Sequence, residues 1–294
     1  FQGLNQGVDF VGGRSYTIRF ENTVNPSEIS SVLNSEFGSA EVKTFGEENQ
    51  LKITTKYKVD VEGVAVDEEI HEKLYSSLQP YLPDGTTYQN FVKGSSEKTI
   101  GIMSSIKVGP TIADDIKNNS FLAVIGSLIV VFLYILLRFQ KWQFSLGAVA
   151  AVFHDVLVVL GIFSITYTFM PFSMEINQAF IAAILTVIGY SLNDTVVVFD
   201  RIREYINEHT KWEFDNTVNA ALNSTLSRTL NTSLTTLIVL MAIFIFGGES
   251  IRGFMFALII GVIVGTYSSV FIATPVMFDT QKKKVLLEKT NRFS

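Results

Sequence analysis

Apolar and polar positions sort this chain into two halves. Beyond residue 117 they form five long apolar runs, at about 119–138, 144–168, 178–200, 228–247 and 253–277. Each comes close to the ~20 residues that carry a helix across a bilayer. Before residue 117 the pattern is short and broken. Arg14–Phe20 alternates and predicts a strand. Asn25-Pro26-Ser27-Glu28 predicts a helix start, with proline early in the first turn, and that helix runs to about Phe37. Glu41–Phe45 and Gln50–Tyr57 read as strands joined by the turn Gly46-Glu47-Glu48-Asn49. Asp67–Tyr81 sets Ile70, Leu74, Leu78 and Tyr81 at helical spacing, and Lys98–Val108 reads as a last strand.

The order β-α-β-β-α-β is that of a ferredoxin-like domain. The predicted architecture is an α-helical membrane bundle, with five spans visible, carrying an extracytoplasmic α+β ferredoxin-like domain. Residues 1–117 form the domain, and 118–280 the bundle with a cytoplasmic loop at 201–227. Residues 281–294 form a basic cytoplasmic tail. Orientation follows from lysine and arginine in the short loops. Arg138 and Lys141 lie in the first connection, Arg201, Arg203 and Lys211 in the third, and Lys282, Lys283 and Lys284 after the last span. The second and fourth connections hold only Arg252. The basic loops and the C-terminus therefore belong on the cytoplasmic side. Five spans then leave the start of the chain outside, which calls for one more span before Phe1.

The span at 178–200 holds Asn193 and Asp194 inside an apolar run. A carboxylate in hydrocarbon costs ~2.5–3.5 kcal/mol or more and calls for a partner or a function. Arg228 is the expected partner. The strongly apolar part of the next span, Leu237–Phe246, is too short to cross a bilayer alone. That helix must draw in Arg228, Thr232 and Thr235, which with Thr225 share one face. Asp194 and Arg228 would then lie at similar depth on antiparallel helices. A direct or water-bridged pair there, switched by small changes in helix separation, has the chemistry of a proton relay.

Other polar groups could support that path. Asp155, about eleven residues into the second span, reads equally as a packing residue and as a second proton station. His154 reads as packing. Thr266, Tyr267, Ser268 and Ser269 bring polar groups to mid-depth of the last span. The same span repeats small residues every four positions, at Gly253, Ala257, Gly261, Gly265, Ser269 and Ala273. Such a stripe lets helices approach closely. Gly7-Val-Asp-Phe-Val-Gly-Gly13 reads as a glycine-rich turn around Asp9, without the Gly-Lys-Ser/Thr of a phosphate loop.

Charge and composition close off several classes. The net charge is −5, and residues 1–117 carry 17 acids against 11 bases. That excludes the basic surface of a nucleic-acid binder. There is no cysteine, hence no disulfide or thiolate metal site. His71, His154 and His209 are too scattered to suggest a metal cluster. The sequence shows no catalytic constellation and calls for no metal or cofactor.

Several stretches together resemble the SecF family of protein-export factors, as a separate SecF or as the SecF half of a fused SecDF. They are GVDFVGG at Gly7–Gly13, VGP at Val108–Pro110, HDV at His154–Val156, GYSLNDTVVVFDRIRE at Gly189–Glu204, SRTLNTSLTTL at Ser227–Leu237 and GTYSS at Gly265–Ser269. The structural motif residues are Asp9, Gly12, Gly13, Gly109, Pro110, Gly261 and Gly265. The resemblance implies a six-span unit of the resistance-nodulation-division type in the bacterial cytoplasmic membrane. Its partners would be SecD, the SecYEG channel and unfolded preproteins, and the proton-motive force would drive export. It also implies that Asp194 and Arg228 are the proton-linked pair. The alternatives are a small-molecule exporter of the same superfamily and a structural module of the channel that moves no protons.

Overall fold

The computed structural model describes residues 3–61, 63–93, 100–170 and 172–282. The chain forms two compact units. One gathers the chain up to Ser120 with Ser164–Ala179 and Gly247–Gly253. The other holds Phe121–Phe163, Phe180–Phe246 and the chain from Phe254 onward.

The first unit is built on a four-stranded antiparallel sheet of β1 (Gly13–Arg19), β2 (Ala40–Phe45), β3 (Glu47–Thr55) and β4 (Gly101–Val108), in the order β2-β3-β1-β4. Together with helices α2 (Pro26–Phe37) and α3 (Val64–Leu78), this is the predicted ferredoxin-like arrangement. Helix α2 buries Ile29, Leu33 and Phe37, and α3 buries Ile70, Leu74 and Leu78. Both sets meet Tyr16, Ile18, Phe20, Leu51 and Ile53 from the sheet. Asn25 caps α2, its side-chain oxygen accepting from the Ser27 N–H at 2.9 Å.

Local details differ from the expectation. The β2–β3 turn shrinks to Gly46, because Glu47 already pairs with Phe45 through a register shift. Helix α3 gives way after Leu78 to a 3-10 turn, Gln79–Tyr81. Two short helices carry too little periodicity to be read from sequence: α1 (Val8–Val11) and α4 (Tyr88–Lys93). Lys98, where the last strand was expected to begin, lies outside the described residues.

One buried cation braces this domain. Arg14 is 1% exposed. It donates to Asp67 at 2.9 Å and to the carbonyls of Tyr57, Lys58 and Val61. Burial pushes Asp67 up, but hydrogen bonds from Lys107 and Arg14 outweigh it and hold the carboxyl below its ordinary range. Burial drives the neighbouring Tyr16 phenol up to about 12.

Among the described residues, five helices are long and apolar enough to cross a membrane. They are α5 (Pro110–Phe139), α6 (Trp142–Thr166), α7 (Gln178–Glu208), α8 (Phe214–Phe246) and α9, which starts at Glu249 and continues through a π-helical stretch, Ser269–Ala273, to residue 282. The expected loop 201–227 is mostly helix, since α7 and α8 extend and leave only residues 209–213 between them. The extensions have their own core, in which Ile202, Val218 and Ala221 join Phe139, Phe144 and Phe199. Phe139 stacks on Phe144 at 5.0 Å, and Phe199 meets both edge-on. Arg138 and Arg203 clasp Asp200 beside this core. The expected tail lies almost wholly outside the described residues.

His71 supplies a pH test. It sits edge-on to Tyr16 at 5.5 Å, and burial lowers its pKa below 6.5. The native domain therefore favours the neutral ring. Its contribution is complete above the unfolded value and is lost as pH falls through the lower folded value. Chemical unfolding followed with a domain probe should show stability declining on the acid side of pH 6.5 in the parent chain, and less decline in His71→Gln.

Candidate functional site

Two carboxylates are buried in the second unit, and each is held by hydroxyls from neighbouring helices. Asp194 on α7 is 3% exposed. Its Oδ2 accepts from Ser233 on α8 at 3.3 Å and from Thr266 on α9 at 3.4 Å. Those two hydroxyls lie 2.6 Å from each other. Asp155 on α6 is fully buried. Its Oδ2 accepts from Ser191 on α7 at 2.6 Å and from Ser268 on α9 at 2.8 Å. His154 Nδ1 lies 3.2 Å from Oδ1.

Close helix packing makes this possible. A Cβ added at Gly261 would run into the Val187 side chain, and one at Gly265 would lie 3.0 Å from the Ser191 Cβ. The small-residue stripe of α9 thus draws it against α7, so that Ser191 and Ser268 reach the same carboxylate oxygen.

Asp194 and Arg228 make no direct contact. Among the described residues Asp194 has no cationic partner, and Arg228 is exposed, as are Thr232 and Thr235. The buried face of α8 runs Val218, Ala221, Thr225, Thr229, Ser233, one residue round from the stripe expected through Arg228. The packing of Val218 and Ala221 in the Phe139–Phe199 core fixes that rotation. Thr232 and Thr235 bond back to their own helix, to the carbonyls of Arg228 and Thr232. Asn193 is exposed on α7, one residue round from Asp194. Ser268 and Ser269 are both buried, but Ser269 donates to the Thr266 carbonyl rather than to a carboxylate.

Sequence reasoning gave no role to Ser191 and read Ser233 only as part of a short span. The signal for Ser191 was its place one turn before Asp194 on a buried face. The signal for Ser233 was the Thr225–Thr229–Ser233 spacing.

Comparison with known proteins identifies the family. Residues 87–283 match the family described as protein export membrane protein SecD/SecF, C-terminal, and residues 1–24 match the SecD/SecF GG motif. Protein translocase subunit SecF of Rhodothermus marinus is 44% identical over 283 residues, covering 96% of this chain and 85% of the relative. The chain belongs to the SecF family. SecF of Vibrio alginolyticus is 39% identical, covering 92% of this chain and 78% of that protein. The crystal structure of SecDF from Thermus thermophilus, described as a translocon-associated membrane protein, superposes with a TM-score of 0.76 at 30% identity. That match covers 96% of this chain but 35% of the solved one, so the chain spans about a third of a SecDF. As a SecF-family member it is a membrane protein and a translocase subunit of the protein-export machinery.

The SecD/SecF glycine motif has a structural task in this SecF-family chain. Gly12 and Gly13 take positive φ of 69° and 134°, and a Cβ at Gly13 would lie 2.8 Å from the Thr55 carbonyl oxygen. Gly109-Pro110 opens α5, with Gly109 O accepting from Ala113 N. Asp9 reaches across to the start of α7, where its Oδ2 accepts from the Gln178 N–H at 3.0 Å. Gly7 N–H donates to Ile176 O, and Ile176 N–H to Asn5 O. Lys52 pairs with the buried Glu175 at 2.6 Å. The start of α7 and the segment before it are thus tied to the α+β domain by four contacts.

Asp9→Ala should remove a helix cap worth ~1 kcal/mol. Amide exchange in the first turn of α7 should quicken, while Asp9→Asn, which keeps the acceptor, should exchange like the parent. Gly261→Val should overpack the α7–α9 contact and cost ~1–3 kcal/mol, read as earlier thermal unfolding in detergent.

Proposed function

We propose that this chain works with SecD, as a separate subunit or the other half of one chain, to draw preproteins out through the SecYEG channel using the proton-motive force. Asp194 is the proton carrier in this reading. The observation that carries it is a buried carboxylate, inside a helix long enough to cross a bilayer, that among the described residues is held by hydroxyls. A fixed guanidinium would favour the charged form. Ser233 and Thr266 can donate to a carboxylate and can also accept from a carboxylic acid, so both protonation states keep their hydrogen bonds.

Arg228 then has a different task. It lies 18 residues before the end of α8, about 27 Å along the helix, and it shares an exposed face with Thr232 and Thr235. A bare guanidinium facing lipid at depth costs ~2.5–3.5 kcal/mol or more. We read that face, with Asn193 on α7, as turned toward SecD. The junction of α7 and α8, with Arg201, Arg203 and Lys211, is read as cytoplasmic and the α+β domain as extracytoplasmic.

Asp194→Asn should leave the amount of SecF–SecD complex in the membrane unchanged and remove the part of preprotein export that depends on the proton-motive force. Export in membrane vesicles, compared with and without an uncoupler, measures this. Full uncoupler-sensitive export in the variant would reject Asp194 as the carrier.

A further inference from the structure

Helix α9 gains a second neighbour along its length. Through Gly261 and Gly265 it lies against Val187 and Ser191 of α7. From the end of the π-helical stretch it also lies against α6, where a Cβ on Gly147 would strike the carbonyl oxygen of Ala273 and come 3.2 Å from the Met277 Cβ, while Ala273 and Met277 stay in one core with Phe199 of α7. The junction is Ser269–Ala273 itself, braced by the Thr274 hydroxyl, which donates to the Ser269 carbonyl at 3.1 Å. A π-helical turn inside an α-helix leaves a backbone group without its usual partner, and such turns concentrate at functional positions.

Asp155 sits at this junction. One oxygen takes both serine hydroxyls, one from α7 and one from α9. The two links are unequal. Ser191 has Asp155 as its hydrogen-bond acceptor, whereas Ser268 also lies 3.2 Å from the Gly265 carbonyl of its own helix. If Asp155 takes up a proton on Oδ2, one of the two serine hydroxyls must turn from donor to acceptor. Ser268 can turn its own proton to the Gly265 carbonyl, so the link that reverses is the one to α9. The titratable groups around Asp155 are few. On α6 there is His154, beside Oδ1. On α7 Ser191 makes the contact, while Asp194 turns to the hydroxyls of α8 and α9. On α9 the nearest is Tyr267, whose ring lies 6.4 Å from that of His154.

We propose that Asp155 is a second proton-binding carboxylate, separate from Asp194, and that Ser268 is the positioning residue through which its proton load acts on α9 at the π-helical junction. This rests on the proton-coupled reading above.

The test uses the complete SecF–SecD complex in proteoliposomes and pH-difference infrared spectroscopy of the carboxylic C=O band. The parent should show two components. Asp155→Asn should remove one and Asp194→Asn the other. Ser268→Ala should keep the Asp155 component but move its midpoint, which a packing role would not do. Asp155→Asn, nearly isosteric, should also remove uncoupler-sensitive export. An unchanged spectrum in Asp155→Asn, or export equal to the parent, overturns the proposal. If Asp155→Asn fails to accumulate, Ser268→Ala decides: a moved midpoint supports the site and an unmoved one overturns it. Loss of the Asp194 component alone from the parent spectrum would count against the first carrier and leave this one standing.

Discussion

A carboxylate taken out of water must be given hydrogen bonds by the chain that buries it, and this bundle is arranged around that demand. Asp155 and Asp194 together draw on four helices. Helix α6 supplies one acid and α7 the other, and α7, α8 and α9 supply the hydroxyls. Every one of those donors is a serine or threonine, short enough to leave the helices in close contact. Glycine at 261 and 265 brings α9 near enough to α7 for the bonds to close. Packing and polar satisfaction are here the same requirement, since a bulkier residue in the stripe would separate the donors from their acids.

The same economy appears at the other end of α7. Asp9, Gly7 and Lys52 all come from the α+β domain, and all engage the few residues before the helix begins. A glycine-rich turn without catalytic chemistry thereby acquires a purpose. Gly12 and Gly13 let the backbone reverse, and the reversal presents the Asp9 carboxylate to an orphan N–H at the helix start.

The two architectural halves were legible because each has its own periodicity. The alternation of β1 and the four-residue spacing of Ile70, Leu74 and Leu78 specify a sandwich of sheet and helices, and long apolar runs specify spans. Asp194 was legible for the same reason, as one charge in an apolar helix. What could not be read was rotation. The face of α8 was assigned through Arg228 because the polar stripe of Thr225, Arg228, Thr232 and Thr235 was expected to face the bundle interior. The actual face is set by Val218 and Ala221, many residues away, packing against aromatic rings from α5, α6 and α7. Ser191 went unassigned because a serine becomes informative only once its neighbour is known. The π-helical turn leaves no mark in composition at all.

Helix α7 runs unbroken for 31 residues, some 46 Å, from the residue that Asp9 caps to the arginines beside Asp200. Sixteen residues beyond its first, Asp194 faces two hydroxyls that share a single oxygen of its carboxylate. A rotation of α7 in place would change the company its acid keeps without sliding any helix through the membrane.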